Sequence, residues 1–270
     1  MPGPPRLRYT CGMSPSTPDA PAASPGLIIP LRRAALSAPL DWLRLGVRDF
    51  MRIPAIGLFY GACFTAMGWA LWWLFEHAPI YVVGLAAGFL LAGPFLCLGL
   101  YDASRHLERG ERPTLGATLT AWRARLGTMA IFGGVLLVLE MLWARASLVI
   151  FAVTFDTMPD FKGSLLALLD PANAVFVVVY VVVGGLFAGL IFAVSVVAMP
   201  MILDRQTDAI TAGLTSIRLC LSQPALMLIW GALITLVVGV AMAPAFAGLM
   251  VAAPVLGHAS WHAYRACVAD

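Results

Sequence analysis

Residues 173–205 read NAVFVVVYVVVGGLFAGLIFAVSVVAMPMILDR. No charged side chain occurs between residues 174 and 203, and the stretch exceeds the ~20 apolar residues that a helix needs to cross hydrocarbon. It ends in Pro200, Asp204 and Arg205, and proline-containing helix endings recur at Pro94 and Pro254. The sequence therefore predicts a membrane-spanning helix that belongs to a larger set of spans.

The composition of the whole chain excludes a soluble domain. Hydrophobic residues make up 61% of the sequence and charged residues only 11%, whereas soluble domains carry roughly 25% charged residues. The 270 residues suit one compact bundle. The five cysteines form no CxxC pair, so neither a disulfide framework nor a metal knuckle is indicated. We expect an all-α membrane protein.

Six apolar segments follow an N-terminal tail. Residues 1–36 are rich in Pro, Ser and Ala and lack apolar periodicity, so they predict a disordered tail, within which Met13 is an alternative start. Residues 37–270 then form one integral membrane domain. Its expected spans are approximately residues 54–75, 80–101, 126–155, 174–203, 225–242 and 246–264.

An amphipathic segment precedes the first span. An α-helix over residues 40–52 places four apolar residues on one face and three arginines on another, with Trp42 as an interfacial anchor. The apolar set is Leu40, Leu43, Val47 and Phe50, and the arginines are Arg44, Arg48 and Arg52. This pattern predicts a helix in the headgroup region, either a simple connection or a docking surface for lipid or protein. Residues 204–223 form a second polar amphipathic stretch.

The distribution of basic residues predicts the orientation. With a cytoplasmic N-terminus, fifteen arginines lie in inner segments, and the outer loops contain only Lys162. Arg145 lies within the third span and belongs to neither group. The positive-inside rule therefore places both termini in the cytoplasm.

The sequence also suggests internal repetition. Residues 48–62 match residues 218–232 at a constant offset of 170, including Pro54 and Pro224. A looser copy begins at Ala121. Two interpretations remain open: three parallel helical hairpins, each entered through a cytoplasmic amphipathic helix, or chance similarity among apolar segments.

Several motifs resemble one bacterial family. WLRLGVRDF, AGFLLAGPFLCLGLYDASRHLERGE, MPMILDR, DAITAGLTSIRLCLSQP and PVLGHASWHAYR are similar to the integral membrane proteins called domain of unknown function 2189. The resemblance covers roughly residues 37–268. It implies a six-span protein of the bacterial inner membrane and no established activity, although some members are labelled cytochrome c oxidase subunit I.

The oxidase label can be tested by counting the histidines that could bind haem and copper. The catalytic subunit of a haem–copper oxidase needs about six histidine ligands, whereas this chain has four, at positions 77, 106, 258 and 262. A catalytic oxidase role is therefore rejected. His258 and His262 share a helical face, which suits packing at the inner interface, a metal or haem site completed by Asp102 or Asp204, or a pH-sensing pair. We expect packing, with no metal and no cofactor.

Glu140 is the most unusual residue of the predicted spans. It lies about 21 Å into its helix at 1.5 Å per residue, where an ionisable group is costly. Arg145 lies about 140° away around the helix, so direct pairing would need a long reach. Glu140 serves either a structural interhelical bond or a proton or substrate pathway.

No sequence motif indicates catalysis. A phosphate-binding glycine loop, a nucleophile elbow, an HExxH motif and a basic nucleic-acid surface are all missing. Three Gly-x3-Gly pairs predict close helix packing: Gly57/Gly61, Gly84/Gly88 and Gly185/Gly189. We expect a non-enzymatic scaffold, assembly or envelope-maintenance protein that contacts lipid, a protein partner or a second copy of itself. The alternative is a small transporter or channel that uses Glu140 and Arg145.

Overall fold

The computed structural model describes residues 29–78, 81–154 and 171–269. Within these ranges the regular structure is helical apart from one isolated β-bridge, which confirms the all-α part of the predicted fold class. Residues 1–28 of the predicted tail 1–36, including Met13, and the outer loop with Lys162 lie outside the described residues. The helices are α1 (Ala38–Arg52), α2 (Pro54–His77), α3 (Val82–Glu108), α4 (Leu115–Thr120), α5 (Leu126–Thr154), α6 (Ala174–Ser195), α7 (Ala198–Arg205), α8 (Ala209–Ser222), α9 (Pro224–Met242) and α10 (Leu249–Cys267).

Four helical segments in the described ranges are long and apolar enough to cross a membrane. They are Pro54–His77, Leu115–Thr154, Ala174–Arg205 and Pro224–Met242. The predicted spans over α3 and α10 are outside this set, so the count of six is not confirmed. The second half of α10 carries two histidines and an arginine, which lowers its apolarity.

α10 occupies the centre of the helical core. Ten of its residues are buried, most of them in its second half, and α1, α2 and α3 all pack against it. α1 approaches especially closely at Gly46, where a Cβ atom would lie 2.5 Å from the carbonyl oxygen of Val255 and 2.8 Å from the amide nitrogen of Ala259. Only glycine permits this approach, so α1 is docked along α10.

The buried face of α1 differs from the predicted one. Trp42, Gly46, Asp49 and Phe50 are buried, whereas Leu40 and Val47 of the predicted apolar face are exposed. Trp42 packs edge-on against Trp230 of α9 at 5.5 Å between ring centroids. The prediction that Trp42 is an interfacial anchor is therefore wrong. Close packing through the small Gly46 determined the buried face, not the largest apolar stripe.

Two helix junctions share one backbone conformation. Ile53, between α1 and α2, has φ −133° and ψ 56°, and Gln223, between α8 and α9, has φ −136° and ψ 59°. Each junction is followed by a proline at the first position of the next helix, where no amide proton is needed. The geometry matches the similarity of residues 48–62 and 218–232. Repetition in three units stays a prediction.

The first described residues contact the end of the chain. Leu31 forms an antiparallel bridge with Val268, and Arg32 N donates to Cys267 O at 2.8 Å. The Gln223 side chain accepts from Ala34 N and donates to Arg32 O. The interacting part of the chain therefore begins before residue 37, the predicted boundary of the membrane domain. The two ends of the described chain lie on one side of the molecule.

The prolines of the three helix endings act in two ways. Pro94 and Pro254 lie inside continuous helices, α3 and α10. In contrast, the chain turns between α6 and α7, just before Pro200. Proline lacks an amide proton, and in a continuous helix its ring would clash with the carbonyl group four residues earlier. Pro200 thereby separates the apolar α6 from the short helix that carries Asp204 and Arg205.

The helices α5 and α6 form a hairpin at the edge of the bundle. Trp143 packs against Tyr180 and Phe187, and Phe151 against Phe176. Only 6% of the most apolar window of each segment is buried, compared with 33% for α2 and 22% for α9. Most of the hairpin surface therefore faces outward from the described chain.

Candidate functional site

A buried polar cluster joins α1, α3 and α10. We call it the Asp49 cluster, and it comprises Asp49, Ser104, His258 and His262. Ser104 Oγ donates to Asp49 Oδ2 at 2.9 Å, and His258 Nδ1 lies 2.8 Å from Ser104 Oγ. His262 Nε2 lies 2.8 Å from the same Asp49 oxygen. The two histidines singled out by their spacing are thus brought together with two residues that the sequence did not indicate.

The hydrogen bonds define the protonation of the cluster. Because Ser104 gives its only proton to Asp49, its oxygen must accept a proton from His258 Nδ1. The Nε2 atom of His258 is buried, and the ring also lies close to the backbone of Leu100. Burial acts to raise the pKa of Asp49, but the hydrogen bond and charge of His262, with the bond from Ser104, hold this pKa below its ordinary value.

This cluster does not have the arrangement of a hydrolytic triad. In such a triad the carboxylate orients the histidine that activates the serine, whereas Asp49 bonds Ser104 and His262. Ser104 and His258 are both fully buried, so a substrate carbonyl has no access to the hydroxyl. The arrangement can hold three helices and one negative charge in place.

A second polar group links the ends of α3, α7 and α10. We call it the helix-end network, and Arg265 is its centre, with Nε 3.1 Å from Glu108 Oε1 and Nη1 3.6 Å from Asp204 Oδ2. Tyr264 donates to Asp204 at 2.8 Å and accepts from Arg205 Nε at 2.7 Å. Asp204 and Arg205, identified from their position after Pro200, therefore fasten α7 to α10.

Asp102 is not a ligand of the histidine pair in the described geometry. Its carboxylate pairs with Arg105 and lies 3.5 Å from His106 Nδ1, and Arg105 also donates to Leu203 O. Asp204 is engaged by Tyr264 and Arg265. Within residues 29–78, 81–154 and 171–269, no group of three His, Cys, Asp or Glu side chains is placed to hold a metal ion.

Glu140 and Arg145 are not brought together. Glu140 is half-buried on the row of α5 that includes Leu136 and Trp143, whereas Arg145 is exposed on another side of the helix. Neither side chain forms a hydrogen bond or ion pair within the part of the chain that the structure describes. The carboxyl of Glu140 therefore lies beside apolar helix surface.

The Gly-x3-Gly pairs have different surroundings. Gly61 is in backbone contact with Met250, and a Cβ at Gly57 would lie 2.5 Å from the Phe50 ring, so this pair packs closely as predicted. Gly185 and Gly189 have no neighbour within 4 Å among the described residues. Their stripe on α6 is open to the outside.

Asp49 and Ser104 are the functional candidates that sequence reasoning missed. The available signal was the spacing of Trp42, Gly46 and Asp49, which places all three on one face of α1. A face with an aromatic, a glycine and an acid does not stand out as a buried stripe. Ser104 had no such signal, because its partners are 55 and 154 positions away.

Comparison with known proteins agrees with the membrane character of the chain. Neither a curated protein nor a solved structure gives a significant match. A family described as "Predicted integral membrane protein (DUF2189)" matches residues 81–204, a range that includes Ser104, Glu140 and Asp204. The family resemblance stated from the sequence motifs is confirmed over this range.

Proposed function

We propose that this integral membrane protein is a non-enzymatic scaffold or assembly protein that holds a partner transmembrane helix against α5 and α6. The observation that carries the proposal is the 6% burial of the apolar windows in both segments. A hairpin that buries so little of itself has most of its surface available to lipid or to another helix.

Two features of the hairpin favour a protein neighbour. The Gly185-x3-Gly189 stripe is exposed, and small residues allow helix backbones to approach closely in a membrane. Glu140 is a half-buried carboxyl with no partner in the described chain, and such a group favours a hydrogen-bonding side chain from a neighbouring helix. The partner is therefore expected to carry an amide, hydroxyl or basic side chain at the depth of Glu140.

The helices outside the hairpin are held together by polar contacts. The Asp49 cluster and the helix-end network connect α1, α3, α7 and α10 through charged and neutral hydrogen bonds. Ser104 and His258 are fully buried, which also favours a structural role over catalysis.

The alternative of a small transporter or channel has less support. A pathway through Glu140 and Arg145 would need both side chains beside one wet cavity. Glu140 and Arg145 point to different sides of α5. Neither residue lines the groove on α1 or the groove between α2, α3 and α4. Liposome flux that is lost in Glu140→Gln would favour transport over the scaffold role.

The localisation that we propose is the bacterial inner membrane with both termini in the cytoplasm. The bridge between Leu31 and Val268 supports a common side for the two ends. Fifteen arginines outside the third span support the cytoplasmic side. Reporter fusions after His77 and Gly163 should read periplasmic, and a cytoplasmic signal at either site would contradict this orientation.

The scaffold role is tested by photo-cross-linking in intact membranes. A photoreactive side chain replaces Val182 on α6 or, as the matched control, Leu236 on α9; these residues are 56% and 63% exposed. We expect one adduct of defined mass from position 182 and none from position 236. The same adduct should disappear with Gly189→Leu and persist with Gly239→Leu, because both glycines face open space but only Gly189 belongs to the stripe.

The mass of the adduct identifies the partner class. Twice the mass of the chain indicates a second copy, and any other single mass indicates a different membrane protein. Lipid adducts alone at position 182, with no protein species, would contradict the proposed role.

A further inference from the structure

An apolar groove lies between α2, α3 and the segment that precedes α5. Its volume is about 430 Å³. α3 contributes Gly88, Ala92 and Phe95 to one wall, and Leu119 and Trp122 form the opposite wall. The groove is not an enclosed cavity, so a ligand can reach it from outside the bundle.

The polar groups at the base of the groove are already satisfied. Tyr60 is 1% exposed, and its hydroxyl donates to Thr118 Oγ1 at 3.2 Å. Thr118 Oγ1 in turn donates to Leu115 O at 2.9 Å. Because both hydroxyl protons are used within the protein, the base offers no free donor, and the groove favours a hydrocarbon chain over a polar ligand.

Arg123 lies beside Trp122 at the rim of the groove. Trp122 is fixed by its Nε1 donating to Leu119 O at 2.8 Å, and the Arg123 guanidinium carbon lies 5.8 Å from the centre of the Trp122 ring. Arg123 is exposed, and Arg125 follows on the same 3-10 turn, Ala121–Arg125. A guanidinium charge therefore lies next to Trp122, one of the residues that line the apolar groove.

The acidic residues of this region are engaged elsewhere. Asp102 pairs with Arg105, and Glu108 pairs with Arg265. In the described ranges Arg123 forms no ion pair with a carboxylate. The charge at the rim is thus available to an external anion.

We propose that this groove binds one anionic phospholipid, with an acyl chain between α3 and Trp122 and the phosphate at Arg123. An apolar groove with an arginine at its rim, at the end of a membrane-crossing segment, complements an amphiphile with an anionic head. Free phosphate could meet the guanidinium but would leave the groove empty. A zwitterionic lipid would fill the groove but would gain less at the rim.

The binding is measured on the purified full chain in nanodiscs by native mass spectrometry. The probes are phosphatidylglycerol and phosphatidylcholine, offered in equal amounts. We expect one retained phosphatidylglycerol per chain with clear preference over phosphatidylcholine. Arg123→Gln should lower that preference about fivefold, the effect of about one arginine near a charged lipid, and Arg48→Gln, an exposed arginine outside the groove, is the matched control.

A second variant separates the groove from the charge. Ala92→Phe fills the groove and leaves Arg123 in place, so retention of both lipids should fall. Size-exclusion chromatography and circular dichroism verify that this variant is folded. Inorganic phosphate in excess should not displace the retained lipid. Equal retention of the two lipids by the unaltered chain, unchanged preference in Arg123→Gln, or displacement by phosphate would each overturn the proposal.

Discussion

His262 Nε2 lies 2.8 Å from Asp49 Oδ2, so residues 213 positions apart join the last helix of the described chain to the first. The same carboxylate oxygen accepts the hydroxyl of Ser104 from α3. Asp49 is 4% exposed, and a buried acid is tolerated when charge and hydrogen bonds compensate its lost hydration. The carboxylate of Asp49 therefore links three helices, α1, α3 and α10, through hydrogen bonds.

Removing the carboxylate of Asp49 should destabilise the fold. Asp49→Ala leaves His262 and Ser104 without their shared acceptor, and loss of one partner of a buried pair costs about 3 kcal/mol. Thermal unfolding in mild detergent measures the effect. Asp41→Ala is the matched control, because Asp41 pairs with Arg44 on the same helix with a 61% exposed side chain, and an exposed pair contributes under about 1 kcal/mol. Equal losses in both variants would contradict the role of the Asp49 cluster.

The Asp49 cluster also predicts a pH dependence. The pKa of Asp49 lies below its ordinary value of 3.8, so folding favours the ionised form. The ionised carboxylate of Asp49 therefore adds its full contribution to the free energy of unfolding above pH 3.8. This contribution is lost as the pH falls through the lowered pKa of Asp49. The melting temperature of the unaltered chain should approach that of Asp49→Asn between pH 5 and about pH 2. A constant difference across this range would contradict the assignment.

Enlarging Gly46 should undock α1 from α10. A Cβ atom would lie 2.5 Å from the Val255 carbonyl oxygen, and this backbone atom of a central helix has little room to move. We expect Gly46→Ala to lower stability by about 2 kcal/mol. Gly134→Ala on α5, where nothing lies within 4 Å, should remain within about 1 kcal/mol of the unaltered chain.

Asp208 should stabilise the start of α8. Its carboxylate accepts from Ile210 N at 3.0 Å and Thr211 N at 2.9 Å. The hydrogen bonds from the side chain and backbone of Thr211, with that from Ile210 N, hold the pKa of Asp208 below its ordinary value. Asp208→Ala should cost about 1 kcal/mol and speed amide exchange in the first turn of α8, whereas Asp208→Ser should retain most of the protection. Unchanged exchange in Asp208→Ala would show that packing alone holds this turn.

We expect the side chain of Glu140 to contribute to partner binding and not to the stability of the isolated chain. Glu140→Gln should leave the melting temperature in detergent unchanged, because no bond to the described chain is lost. Gln keeps a hydrogen-bonding group, whereas Glu140→Leu removes it, so in Glu140→Leu the yield of the cross-linked adduct from position 182 should fall about fivefold, the effect of one interhelical hydrogen bond in a membrane. A lower melting temperature with an unchanged adduct would assign Glu140 to internal packing.

The positions of the helices were easier to predict from the sequence than the contacts between them. α2 begins at Pro54 as expected, because a long apolar run after a proline is a local signal. The buried face of α1 was not predictable from hydrophobicity, since Gly46 and Asp49 are buried by contact with α10. His258 and His262 were found from their spacing, but Asp49 and Ser104 were not, because long-range pairing leaves no local pattern.

The pairing of α1 with α10 also has a consequence for biosynthesis. Translation produces α1 long before α10, so Asp49 has no His262 partner until synthesis has passed residue 262. A product truncated before His258 would never cover that acid. The buried carboxylate of Asp49 therefore obtains its full set of hydrogen bonds only after α10 has been synthesised and has packed against α1.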